Sequence, residues 1–158
     1  MRRLLVFIGL VASCAVVAQQ AAAGTTTVSV SMSFTEPVVQ NIRSGCPIQD
    51  GFCGMGVVVP FGHATETIEF GGACGGNCDF RTVNLAGGSV YMDEFEGGGT
   101  CPGSCQPNRA EPGSGFGTDE VVGGTGIFTG ASGNLNGSVT FAGPANAVKI
   151  TGTITLQN

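Results

Sequence analysis

Residues 55–70 read MGVVVPFGHATETIEF, two short apolar or alternating runs on either side of Gly62-His63. A two-residue turn there, with glycine supplying the positive φ, predicts a hairpin that pairs Phe61 with Ala64, Val59 with Glu66, Val57 with Ile68 and Met55 with Phe70. On that register these residues share one face, which is apolar except for Glu66. The opposite face carries Val58, Pro60, Thr65, Thr67 and Glu69, so the first face is expected to be the core. Pro60 has no N–H to donate and marks an edge or a bulge. A second turn at Gly87-Gly88 pairs Leu85 with Val90, Val83 with Met92 and Arg81 with Glu94 by the same reasoning.

The rest of the chain repeats this style. It has 28 glycines and no tryptophan, and short runs broken by Gly, Pro and Asn replace any helical periodicity beyond the N-terminus. Candidate strands fall at 25–34, 54–61, 64–70, 79–86, 89–96, 116–128 with a break at Gly123-Gly124, 134–142 and 147–156. They predict an all-β fold, a single eight-stranded antiparallel up-and-down barrel. In that order the turns at 62–63, 87–88 and 129–133 lie at one end, and the segments 35–53, 71–78, 97–115 and 143–146 lie at the other.

The N-terminus states a compartment. Arg2 and Arg3 precede the apolar run Leu4 to Ala18, and Ala21-Ala22-Ala23 offers small residues for cleavage, so 1–23 read as a secretory signal peptide and 24–158 as the barrel domain. The expected destination is secreted or periplasmic, with no transmembrane segment in the mature chain. Val11-Ala12-Ser13-Cys14 resembles a lipobox, but the apolar run continues past Cys14, which favours an ordinary signal peptide over a cell-surface lipoprotein. The formal net charge is −5 and becomes more negative once Arg2 and Arg3 are removed, which argues against nucleic acid or anionic membrane surfaces as partners.

Cys46, Cys53, Cys74, Cys78, Cys101 and Cys105 remain after cleavage, all in the long segments of one barrel end. An even count in an exported chain predicts disulfides that staple those loops. Local bridges 46–53, 74–78 and 101–105 are the preferred pairing, with Cys53–Cys74 or Cys78–Cys101 as alternatives. Zinc is not expected, because the pairs are spaced by three residues where zinc ribbons have two, and no other metal is expected.

The segment VVGGTGIFTGASGNLNGSVTF (121–141), followed by VKITGTITL (148–156), resembles the late strands of the allene oxide cyclase and dirigent barrel superfamily. The resemblance covers about a third of the mature chain. It implies an eight-stranded antiparallel barrel with an apolar lumen, in which plant cyclases convert an unsaturated fatty-acid epoxide and dirigent proteins steer radical coupling. No motif transfers the pocket residues of those families to this sequence.

Among residues that carry chemistry, Glu66 stands out. The hairpin register points it into the barrel between Phe61 and Ile68, where desolvation would raise its pKa and suit it to proton transfer or ligand anchoring. Arg81 and Glu94, as cross-strand partners toward the cysteine end, are candidates for binding a ligand at the lumen mouth, against the plainer reading of a solvated pair. Asp93, Glu94, Glu96, Asp119 and Glu120 are read together as a solvated acidic face, and His63 as a turn residue without a catalytic partner. The alternating threonines at Thr25-Thr27 and Thr151-Thr153-Thr155 are ordinary outer-face β chemistry. The main functional expectation is an exported non-catalytic barrel that binds a small apolar ligand or acts at the cell surface. The alternatives are an isomerase or cyclase of allene oxide cyclase type using an interior carboxylate, and a structural surface or matrix protein without a ligand. No cofactor is expected.

Overall fold

The computed structural model describes residues 24–37, 46–48, 51–71, 78–100, 113–142 and 144–158. Eight strands follow one another: β1 (Thr25–Pro37), β2 (Gly51–Val59), β3 (Gly62–Glu69), β4 (Asp79–Leu85), β5 (Gly88–Thr100), β6 (Gly113–Gly124), β7 (Ser132–Ala142) and β8 (Ala145–Gln157). Each pairs with its neighbours in sequence, and β8 returns to β1, so the sheet is a closed antiparallel barrel without free edges. Strand number and up-and-down order agree with the sequence reading.

Period-two alternation sorts the side chains. In β1, Val30, Met32, Phe34 and Glu36 are buried while Ser29, Ser31, Ser33 and Thr35 are exposed, and β8 repeats the pattern with Asn146, Val148, Ile150 and Ile154 inside. The turn end of the lumen is a packed apolar floor. A short 3-10 turn, Gly126–Phe128, folds over it and inserts Phe128, whose ring stands edge-on to Phe61 at 5.0 Å between centroids. Val83, Val90, Met92, Leu135 and Ile154 complete this floor.

Both hairpins form, with registers different from those expected. The first reverses over Val59–Phe61, pairing Val58 with Gly62, Val57 with His63 and Gly54 with Glu66. The peptide bond before Pro60 is cis. The displacement is odd, so it turns β2 over: Val58 is fully buried, while Met55 and Val59, expected inside, are 70% and 58% exposed. Space in the lumen explains the choice. A Cβ at Gly54 would lie 2.5 Å from Glu66 Oε1 and 3.2 Å from Glu36 Cγ, and one at Gly56 would lie 2.7 Å from Phe34 Cδ1. The large inward residues of β1 and β3 thus require glycines between them, which leaves the larger β2 residues Met55, Val57 and Val59 for the outside. The β3 half of the expectation holds, with Ala64, Glu66 and Ile68 buried.

The second hairpin turns at Ala86-Gly87 and pairs Leu85 with Gly88, Arg81 with Met92 and Asp79 with Glu94. This displacement is even, so the faces are kept. Gly88, at φ +138°, lies against the carbonyl of Thr125 in the approach to the 3-10 turn, where no side chain fits.

At the other end Cys46 and Cys53 form a disulfide, the local pairing expected, and Cys78 is also disulfide-bonded. Cys74, Cys101 and Cys105 lie outside the described residues, as do the signal-peptide segment 1–23 and Cys14.

Candidate functional site

Above the apolar floor, toward the disulfide end, the lumen becomes charged. Arg81 on β4 is buried, with Glu66 on β3, Glu36 on β1, Asp119 on β6 and Glu94 on β5 grouped about it. Its Nη1 donates a hydrogen bond to Glu66 Oε2 and lies 3.7 Å from Glu36 Oε1. Its Nη2 donates to Glu94 Oε2 at 2.7 Å, and Nε lies 3.5 Å from Asp119 Oδ1. Asn146 on β8 donates from Nδ2 to Glu36 Oε2 at 3.3 Å. One guanidinium is therefore shared by carboxyl groups from four strands.

Each member arrives by the alternation of its own strand. Glu36 continues the inward series Val30, Met32, Phe34; Asp119 precedes Val121; Arg81 precedes Val83. Asp119 and Glu94 are directly opposed in register, and Asp79, paired with Glu94 on the other side, extends the acidic row toward the rim. Asp79 Oδ1 also accepts the Gly71 N–H at 3.0 Å.

The electrostatics follow from burial. Loss of water around Glu66 pushes its carboxyl up to about 8, with Arg81 pulling the other way and Glu36 adding to the rise. Asp119 is pushed up to about 7, again by burial first, opposed by Arg81. Glu36 is raised by burial against the pull of Arg81 and the Asn146 hydrogen bond. Burial acts to lower Arg81, but Glu94, Glu66, Asp119 and Glu36 overcome it and hold the guanidinium protonated. At the rim, Glu96 and Asp79 are both raised by partial burial, with Glu94 adding repulsion to each. The network does not satisfy all its atoms: Glu36 Oε1, Glu66 Oε1 and both oxygens of Asp119 are buried without a hydrogen-bond partner.

Beside this network lies a cavity of about 180 Å³ lined by Glu94, Glu96, Val139, Phe141 and Val148 and floored by Gly115, Gly117 and Gly137, with Phe116 at its edge. Glycines on β6 and β7 create the space. A Cβ at Gly137 would stand 2.9 Å from Asp119 Oδ2, so Asp119 lies directly behind that wall.

The three sequence candidates, Glu66, Arg81 and Glu94, are thus brought together in the lumen, and Arg81 with Glu94 is a largely buried pair instead of a solvated one. Asp119 leaves the acidic face to which the sequence assigned it. That group divides by parity, with Glu94 and Asp119 on the lumen face and the register pair Asp93 and Glu120 on the outer face. Glu36, Asp119 and Asn146 are the members that sequence reasoning missed. Continuing the β1 alternation two residues past Phe34 would have found Glu36. His63 is exposed, but it is not the turn residue expected: the shifted hairpin makes it the second residue of β3, paired with Val57. Among the described residues, no group of three or more His, Cys, Asp or Glu is placed to hold a metal ion.

Comparison with known proteins finds no matching family model, no matching characterised sequence and no matching solved structure.

Proposed function

We propose that the lumen is a cofactor-free proton-transfer site, which would make the protein an isomerase or cyclase acting on a small, partly apolar molecule. The observation that carries this reading is the buried Arg81 guanidinium shared by Glu36, Glu66, Glu94 and Asp119 beside a cavity. Burying several carboxyl groups costs stability, and a passive carrier of apolar ligands has no use for them. A carboxyl held near neutrality, by contrast, both gives and takes a proton at working pH. Asp119, behind the Gly137 wall and up at about 7, is the group best situated to exchange a proton with a bound molecule. Glu66 sets the charge of the cluster from across Arg81, and Glu94 on the cavity wall orients the ligand.

The bonded cysteines Cys46, Cys53 and Cys78 support export to an oxidising compartment. The closed antiparallel eight-stranded barrel supports the resemblance to the allene oxide cyclase and dirigent superfamily. The test is to extract the natively produced protein with organic solvent, identify the released molecule by mass spectrometry, and return it to purified protein. Wild type should convert it to an isomer, and Asp119→Asn should do so at least about tenfold more slowly, roughly 1.4 kcal/mol in barrel-assisted barrier lowering. A molecule bound and released unchanged would make the barrel a carrier instead.

A further inference from the structure

We propose that the cavity beside Glu94 and Asp119 takes a small organic cation, a protonated alkylamine of about four or five carbons by volume. The inference rests on the lumenal reading above and names the charge of the ligand.

Three observations lead there. First, the sign of the lumen is lopsided. Among the described residues, those facing it are Glu36 on β1, Glu66 on β3, Asp79 and Arg81 on β4, Glu94 and Glu96 on β5, Asp119 on β6 and the neutral Asn146 on β8, while β2 and β7 contribute glycines at this level. Among the described residues the other basic side chain, Lys149, is exposed on the outer face. Arg81 directs both terminal nitrogens to carboxyl groups of the protein itself, and its Nε, which makes no hydrogen bond, faces Asp119 Oδ1 at 3.5 Å, so the guanidinium is already surrounded by the protein's own carboxyl groups.

Second, Asp119 is 1% exposed; its Oδ1 faces Arg81 Nε at 3.5 Å, whereas its Oδ2 makes no hydrogen bond and stands behind a wall that lacks a side chain at Gly137. Gly137 lines the cavity, so a donor seated against it would have only the glycine backbone between itself and the unpaired Oδ2. Glu94, its register partner, is on the cavity wall. An ammonium group between these two carboxyl groups would supply the hydrogen bonds that Asp119 lacks.

Third, the remaining lining suits a short alkyl chain bearing that charge. Val139, Phe141 and Val148 are apolar, Glu96, Ser114 and Ser138 are the other polar residues of the lining, and the ring of Phe116 lies at the edge, where aromatic faces favour cations. The volume of about 180 Å³ suits a ligand of a handful of heavy atoms. A carboxylate of the same size would meet like charge on both sides.

Because burial holds the proton on Asp119 up to about 7, a cation must displace it, and affinity should climb about tenfold between pH 6 and pH 8. The experiment is calorimetric titration of the purified, disulfide-intact protein with n-butylammonium, n-butanol and butyrate. n-Butylammonium should bind at least ten times tighter than n-butanol, and butyrate should not bind. Asp119→Asn and Glu94→Gln should each weaken the amine at least tenfold, and Glu69→Gln on the outer face should leave it unchanged. Thermal melts check that each variant is folded, and Glu94→Gln, at the partly exposed edge, serves if Asp119→Asn is not. Equal binding of butanol or butyrate, no binding of the amine, or affinity that is flat or falls with pH would overturn the proposal. Amine binding without turnover of any extracted molecule leaves it standing and removes only the catalytic step; turnover of a neutral or anionic molecule without amine binding does the reverse.

Discussion

Replacing Glu66 with glutamine removes one titrating group from the lumen while keeping its volume and an oxygen for the Arg81 hydrogen bond. In the wild type the Glu66 carboxyl lies at about 8, against an ordinary value of 4.5. An acid raised in this way keeps its proton in the folded state while the unfolded chain has already released it. Its contribution to stability is therefore complete below pH 4.5 and is lost as pH climbs toward 8. With about 1.4 kcal/mol per pKa unit, Glu66 alone takes roughly 2–3 kcal/mol from stability between pH 5 and pH 7. For a domain of this size that is a fall in Tm of roughly 10 °C. Glu36 and Asp119 are raised as well and act in the same direction. Thermal melts of wild type, Glu66→Gln and Glu69→Gln from pH 5 to pH 8 test the argument. Wild type and Glu69→Gln should lose stability together as pH rises, and Glu66→Gln should lose distinctly less. Parallel curves for all three, or a wild type that gains stability toward pH 8, would refute the assignment of Glu66 to a desolvated lumen.

Arg81→Met strips the cluster of its buried guanidinium and should cost about 3–5 kcal/mol at pH 7, with part recovered at pH 5 where Glu66 and Asp119 hold their protons; urea unfolding at both values measures it. Gly54→Ala places a methyl group against Glu66 and Glu36 and should cost about 1–3 kcal/mol, a penalty that Glu66→Ala relieves in a double-mutant cycle. Val58→Thr puts a hydroxyl into the core and should cost about 1–3 kcal/mol, whereas Val57→Thr on the outer face should stay within about 0.5 kcal/mol; the reverse order would restore the two-residue turn at Gly62-His63.

Much of the architecture is a property of local sequence. Runs with period two, broken by Gly, Pro and Asn at short intervals, allow antiparallel strands and nothing else. Eight such runs without a helix between them leave an up-and-down order, and that order places Cys46, Cys53 and Cys78 at one end. The inward position of Glu66 was legible for the same reason, since Ala64 and Ile68 share its parity within one strand. Even where the β4–β5 register differs by two residues, Arg81 and Glu94 remain on one face and within reach of each other, because an even displacement preserves the side.

What the sequence did not carry is the relation between strands. Met55, Val57 and Val59 form a more convincing apolar face than Phe52, Gly54, Gly56 and Val58, yet the second set points inward. The reason is volume: Glu36, Phe34 and Glu66 arrive from neighbouring strands and fill the space that side chains at 54 and 56 would need. Asp119 illustrates the same limit. Beside Glu120 and near Asp93 in the paired strand it reads as part of a solvated acidic face, and it is the lateral pairing of β4, β5 and β6 that brings Arg81 to it. Hydrophobic periodicity tells which residues of one strand share a side, whereas the choice of inner side, and the charges that meet there, depend on how eight strands together fill a closed lumen.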